Sequence, residues 1–202
     1  MAELGNQQAL WQAFKEGNQS AFATLYRHLY SPLYFYALKA TADADEAREC
    51  VQELFVTLWK SRQRLGNVTR VKAYCFKSLR GIIQRSQSRR LSQTHLSSDQ
   101  TGGWVFSPED FMIRQEDDTY REDTLATVLN QLPPRQREAV YLKYYEGLSY
   151  VQIAEVLHIN YQSAVNLVYQ AFQNLKQQPV LQKLLTHYQW YPLLLVGGSW
   201  LG

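Results

Sequence analysis

An all-α fold of two small helical domains joined by a flexible linker is predicted by three features of this sequence. Apolar residues recur three and four positions apart over most of the chain, the spacing that lines one face of a helix. No stretch alternates apolar and polar residues as a half-buried strand would. Between about residues 92 and 120 the periodicity stops, and Ser, Gly, Asp and Gln take over.

The elements follow in order. Phe22, Leu25, Tyr26, Leu29, Leu33 and Ala37 build one apolar face, and Ser31-Pro32 reads as a break and restart, with Ser31 as N-cap and Pro32 in the first turn. A second helix begins after the capping residues "DAD", with Ala47, Cys50, Val51, Leu54, Phe55, Leu58 and Leu65 in register; Glu46, Glu49, Gln52, Glu53 and Lys60 occupy its other face. "LGNVTR" (65–70) is a loop, and "VKAYCFKSLRGIIQRSQSRR" is a third helix ending in arginines. Beyond the linker a helix starts near Arg121 and stops at Pro133-Pro134, and another begins at about Arg135. "EGLS" turns the chain, with Ser149 capping "YVQIAEVL", and "HIN" turns it again into "YQSAVNLVYQAFQNLK".

The chain has 202 residues, enough for one ordinary domain or two small ones, and 46% of them are hydrophobic, enough to build cores. A net charge of +3 is compatible with a nucleic-acid partner without requiring one. Cys50 and Cys75 sit in apolar helical patterns rather than in a Cys-x-x-Cys spacing, and read as buried thiols of a reducing compartment. "MAELGNQQALWQAF" has no basic-then-apolar signal, and the terminal run "YPLLLVGGSWLG" is about half of what a membrane span requires, so a cytoplasmic protein is expected. His28, His95, His158 and His187 are scattered, and no Gly-rich phosphate loop or nucleophile–base pair is present. Neither an enzyme nor a cofactor, metal or small-molecule substrate is expected.

Ile153-Ala154-x-x-Leu157-His158-Ile159 matches the helix-turn-helix plan. Ala154 is small where two helices cross, and Ile153, Leu157 and Ile159 supply the core between them. Position 158 must turn the corner in a left-handed conformation, a place usually given to Gly and held here by His at a cost of about 1 kcal/mol.

"LPPRQREAVYLKYYEGLSYVQIAEVLHINYQSAVNLVYQAFQNLK" resembles region 4 of the extracytoplasmic-function sigma factors of the sigma-70 family. "DADEARECVQELFVTLWKSRQRL" is similar to the family's region 2.2 and "VKAYCFKSLRG" to regions 2.3–2.4; together the matches cover about residues 10–178. The resemblance implies region 2 over 8–91, a linker over 92–120, region 4 over 121–178 and an apolar tail over 179–202. It implies a subunit that directs core RNA polymerase to promoters, with the β′ clamp helices, the β flap and promoter DNA as partners. Glu49, Gln52 and Glu53 fall on polymerase-docking positions. Asn67, Arg70, Lys72, Tyr74 and Arg80 cover the part that engages the −10 element, although Gly81 stands where Asn is common and Arg85 where Asp is common. On periodicity, Tyr74 and Phe76 belong to the core instead.

The last helix corresponds to the −35 reader. Ala164, Val168, Ala171, Leu175 and Phe172 take its inward positions, leaving Tyr161, Gln162, Ser163, Val165, Asn166, Tyr169 and Gln170 for DNA, with Arg135, Arg137 and Lys176 placed for phosphates. Between Asn160 and Phe172 this helix carries no Lys or Arg, but Asn and Gln can read adenine with two hydrogen bonds, and Val165 can meet a thymine methyl. A weak, modestly salt-sensitive, A/T-leaning contact is expected. Two other readings stand beside this one: a helix-turn-helix regulator that never joins polymerase, against which residues 43–65 argue, and a degenerate sigma-like interaction protein. The tail, with Leu181, Leu184, Leu185 and Tyr188, reads either as a helix packing on its own domain or as a docking segment for a partner such as an anti-sigma factor.

Overall fold

The computed structural model describes residues 2–94, 104–107 and 119–179, and among these the regular structure is entirely helical. Helix α1 (Ala2–Lys15) leads into α2 (Gln19–Thr41), which the Asn18 side chain opens by accepting the Ala21 backbone N–H. The break expected at Ser31-Pro32 does not occur, and α2 runs through it. An interior proline costs about 3 kcal/mol against Ala. The helix stays continuous because Leu25, Leu29, Leu33, Tyr36 and Ala37, on both sides of the proline, bury one stripe against the helices that follow. It ends at Ala42, held left-handed at φ 55°.

Asp43 then caps α3 (Ala44–Ser61), accepting the backbone N–H groups of Asp45 and Glu46, as "DAD" suggests. The Glu46 amide first, and the Asp45 amide with it, hold the Asp43 carboxyl below its usual range. A 3-10 turn over Arg62–Arg64 follows, so Leu65 lies beyond the helix instead of extending its apolar stripe. Helix α4 (Val71–Thr94) closes the first unit. Its core is aromatic: Phe14 stacks on Phe22 at 5.6 Å, and Phe22 lies 5.0 Å from Trp59. Cys50 and Cys75 are buried free thiols, pushed up by that burial to about 11 and about 12.

The second unit consists of α5 (Thr119–Asn130), α6 (Pro134–Tyr144), α7 (Tyr150–Leu157) and α8 (Tyr161–Lys176). Helices α5 and α6 start two and one residues earlier than the sequence suggests, Pro134 serving as a first-turn residue whose missing N–H costs nothing there. Ser149 forms a full capping box with Gln152 at the start of α7. His158 turns the corner at φ 55°, ψ 47°, as the helix-turn-helix plan requires.

The two units are not held apart. Helix α4 packs along α7. Part of the segment expected to be a flexible linker is structure: α4 extends to Thr94, and Trp104 and Phe106 are buried between the units. The Trp104 ring lies 4.9 Å from Tyr36 of α2 and 5.2 Å from Tyr141 of α6. The Asn130 side chain binds both main-chain groups of Phe106, accepting its N–H and donating to its C=O, each at 2.8 Å. An amide side chain places an N–H donor beside a carbonyl acceptor, so it can satisfy both main-chain groups of a buried residue as a neighbouring strand would.

Candidate nucleic-acid and polymerase interfaces

The turn between α7 and α8 fixes the last helix. Ile153, Ala154 and Leu157 are buried in the crossing, and Ile159 packs against them. Asn160 caps α8 by accepting the Ser163 N–H at 2.7 Å. Ala164, Val168, Ala171 and Leu175 face inward, and half-buried Phe172 meets Tyr144 edge-on at 5.4 Å. Tyr161, Gln162, Asn166, Tyr169 and Gln170 are exposed, while Ser163 and Val165 are half-buried. Gln162 Nε2 donates to Asn166 Oδ1 at 3.0 Å, which leaves the Gln162 oxygen as acceptor and the Asn166 amino group as donor on one face. Of the flanking cations, Arg135 and Lys176 are exposed. Arg137 is half-buried; burial lowers its guanidinium's pKa, and its Nε has no hydrogen-bond partner among the protein atoms.

The residues expected at the −10 element lie along the loop and the front of α4, but three of their cations point into the second unit. Arg70 pairs with Glu155 of α7, both about half-exposed. Lys72 pairs with Glu146 at 2.9 Å and also donates to the Glu146 carbonyl at 2.7 Å. Arg80 reaches Glu138 of α6 at 2.8 Å with side-chain exposures of 15% and 6%, and the buried Tyr36 hydroxyl donates to the same carboxylate at 2.6 Å. Burial pulls the Arg80 guanidinium down, and Glu138 more than offsets this. Burial, then Glu138, pushes the Tyr36 phenol well above its usual range, so it remains a donor. Asn67 is exposed and accepts from Lys15 at 3.5 Å. Tyr74 is half-buried, edge-on to Trp11 at 5.6 Å, and Phe76 is fully buried, which is the core role periodicity gives them.

Glu49, Gln52 and Glu53 form one exposed row on α3. Arg85 and Arg89 of α4 come within 3.9 and 4.0 Å of Glu53, so the α3 row borders α4 arginines. Not legible beforehand were Glu138, Glu146 and Glu155, each a carboxylate facing a cation of the first unit, and the Trp104–Phe106 segment. The signal for the segment was present as three apolar residues, "WVF", in an otherwise polar stretch.

Known proteins agree with this architecture. The family model described as sigma-70 region 2 matches residues 25–92, and that described as sigma-70 region 4 matches residues 122–175. The ECF RNA polymerase sigma factor SigL of Mycobacterium tuberculosis is 32% identical over 149 residues, covering 71% of this chain and 82% of that protein. The RNA polymerase sigma-H factor of Pseudomonas aeruginosa is 25% identical over 87% of this chain and 96% of its own. Among solved structures, CnrH in complex with the cytosolic domain of CnrY shares the fold at a TM-score of 0.59, with 19% identity over 84% of this chain and 94% of that one. RpoE of Bartonella quintana, solved with the anti-sigma factor NepR, does so at 0.58, with 21% identity over 80% of this chain and 96% of that one. With both regions matched in order and the helix-turn-helix in place, the chain belongs to the ECF RNA polymerase sigma factors of the sigma-70 family.

Proposed function

We propose that the chain, acting by binding alone, divides the work of a sigma factor among three surfaces. Region 2, over 8–91, docks on core polymerase through Glu49, Gln52 and Glu53 and engages the −10 element through Asn67, Arg70, Lys72 and Arg80. An acidic row suits a basic partner helix, and a cationic row suits phosphates. Region 4, over 121–178, reads the −35 element with α8, while Arg135 and Lys176 touch the backbone. An anti-sigma factor is a natural regulator for the chain, since the Bartonella RpoE that shares its fold was solved with one. The tail 179–202 lies outside the described residues.

The observation that carries this reading is the face of α8. Gln162, Asn166, Tyr169 and Gln170 stand exposed on a helix whose opposite side is locked into the core, and a side chain reaching base edges needs that rigidity. In vitro transcription of genomic fragments with core polymerase tests it by mapping start sites. N166A/Q170A should still bind polymerase but weaken the preferred start sites by about ten-fold or more, each amide contact being worth about 1–3 kcal/mol. E49A/Q52A/E53A should instead fail to co-elute with polymerase. An unchanged start-site map for N166A/Q170A would remove α8 as the reader.

A further inference from the structure

Helix α1 precedes the part of the chain that matches sigma-70 region 2, which begins at residue 25. Its side chains nevertheless reach across to the loop proposed to engage the −10 element. Trp11 Nε1 donates to the Gly66 carbonyl and Lys15 Nζ to Asn67 Oδ1, each at 3.5 Å, with partners 55 and 52 positions away. Two bonds of that length would hold little by themselves. What stiffens the tie is the burial of Trp11. Its side chain is 3% exposed, 5.2 Å from the Phe14 ring and edge-on to Tyr74 of α4 at 5.6 Å. Packed on two sides, the indole keeps its N–H aimed at one carbonyl.

The loop has need of such a tie. Leu65 and Val68 pack partly into the core, but the tip between them stands clear: a Cβ added at Gly66 would meet nothing within 4 Å. The entrance to the loop is pinned from the same side. The Arg62 guanidinium lies 4.4 Å over the Trp59 ring and donates to the Trp59 carbonyl at 2.7 Å. The α1–α2 turn closes on it, since a Cβ on Gly17 would come 3.6 Å from Arg62 Nε. Lys15 acts on the exposed Asn67 more specifically. A side-chain amide free to turn can offer either its oxygen or its amino group to a base. With the oxygen held by an ammonium group, the amino group is the end left for DNA. A donor there suits the keto oxygens of guanine and thymine better than the amino groups of adenine and cytosine.

We propose that α1 is a strap that sets the −10 loop, with Trp11 and Lys15 as positioning residues. Trp11 holds the main chain at Gly66, and Lys15 holds the Asn67 amide with its donor outward, so that this position prefers a keto base. The inference rests on the reading of Asn67 as a −10 residue.

Core polymerase carrying each variant, transcribing a mapped start site whose −10 element has been randomised, tests this by the bases recovered in the active templates. W11F keeps a ring in the core and loses the indole donor. It should flatten base preference in the −10 element by about three- to five-fold, the worth of one hydrogen bond, while the −35 element keeps its weight. K15M should lower the keto preference at one position by about three-fold, and should add nothing in an N67A background, because it acts through Asn67. Were Lys15 a phosphate contact instead, K15M would weaken every sequence alike and reduce the log–log salt slope by about 0.7. That result overturns the proposal, as does a K15M effect of equal size with and without Asn67. Hydrogen exchange of the full chain, without DNA or polymerase, gives a second readout. In W11F the amides of residues 66–69 should exchange about ten-fold faster while those of α3 and α8 are unchanged. Exchange that rises equally in α3, or does not rise in the loop, makes Trp11 a packing residue alone and overturns the strap. The underlying reading fails differently: N67A would itself leave the −10 base preference unaltered, whatever α1 does.

Discussion

Region 2 presents, on and before α4, the cations proposed for the −10 element, and they are engaged by carboxylates, whereas region 4 presents on α8 amides and tyrosines, with Lys176 the single charged side chain of that helix. The difference follows from what each kind of group does in water. A cation attracts any polyanion at a distance, so it confers grip without discrimination and can be satisfied by the wrong partner. An amide gains little until its donor and acceptor meet a complementary pair, so it needs no shield. On the proposed assignment, the surface that would bind indiscriminately is engaged by carboxylates and the one that would discriminate stands exposed.

The largest effect separating the two surfaces is expected at Glu138. E138A leaves Arg80 buried without its carboxylate and the Tyr36 hydroxyl without its acceptor, which should cost about 3–5 kcal/mol in urea denaturation. The exposed Arg70–Glu155 pair, by contrast, lies in the range of about 0–1 kcal/mol and should fade with salt, so its loss changes binding more than folding. Next is Gly81, inside α4. A Cβ built there meets only Arg85 Nη1, at an ordinary 3.7 Å, so G81A should stabilise the chain by about 0.5–1 kcal/mol in the same assay without touching α8. The smallest effect is at the start of α3. Because backbone N–H groups lower the Asp43 carboxyl in the folded chain, its contribution is present above the unfolded carboxylate value and is lost as pH falls through the folded one. D43A should therefore show a lower melting temperature than wild type at neutral pH, and the gap should close in acid.

How much of this was legible in the sequence depended on whether local chemistry or tertiary context decided the element. Caps and turns are local: Asp43, Ser149 and Asn160 cap their helices by contacts two or three residues away, and His158 adopts the corner conformation its place in the motif demands. The inward register of α8 was legible for the same reason, one helical period determining it. Pro32 misled because its local preference for a helix start was outweighed by a stripe of buried residues spanning it. The ion pairs could not be read at all. Glu138, Glu146 and Glu155 look like ordinary surface carboxylates until α6 and α7 are laid against α4, with partners between 58 and 85 residues away. Within the linker, composition described the polar majority and concealed Trp104 and Phe106, whose burial depends on tyrosines of two other helices.

The near absence of charge on α8 also bears on how the chain is distributed in a cell. A genome offers on the order of a million or more non-specific sites for each specific one, and a cationic reading helix would spend most of its time on them. If α8 is the reader, as proposed, its one terminal lysine gives it little to hold it there. The last helix would then add little sequence-independent affinity for DNA to whatever the rest of the chain supplies.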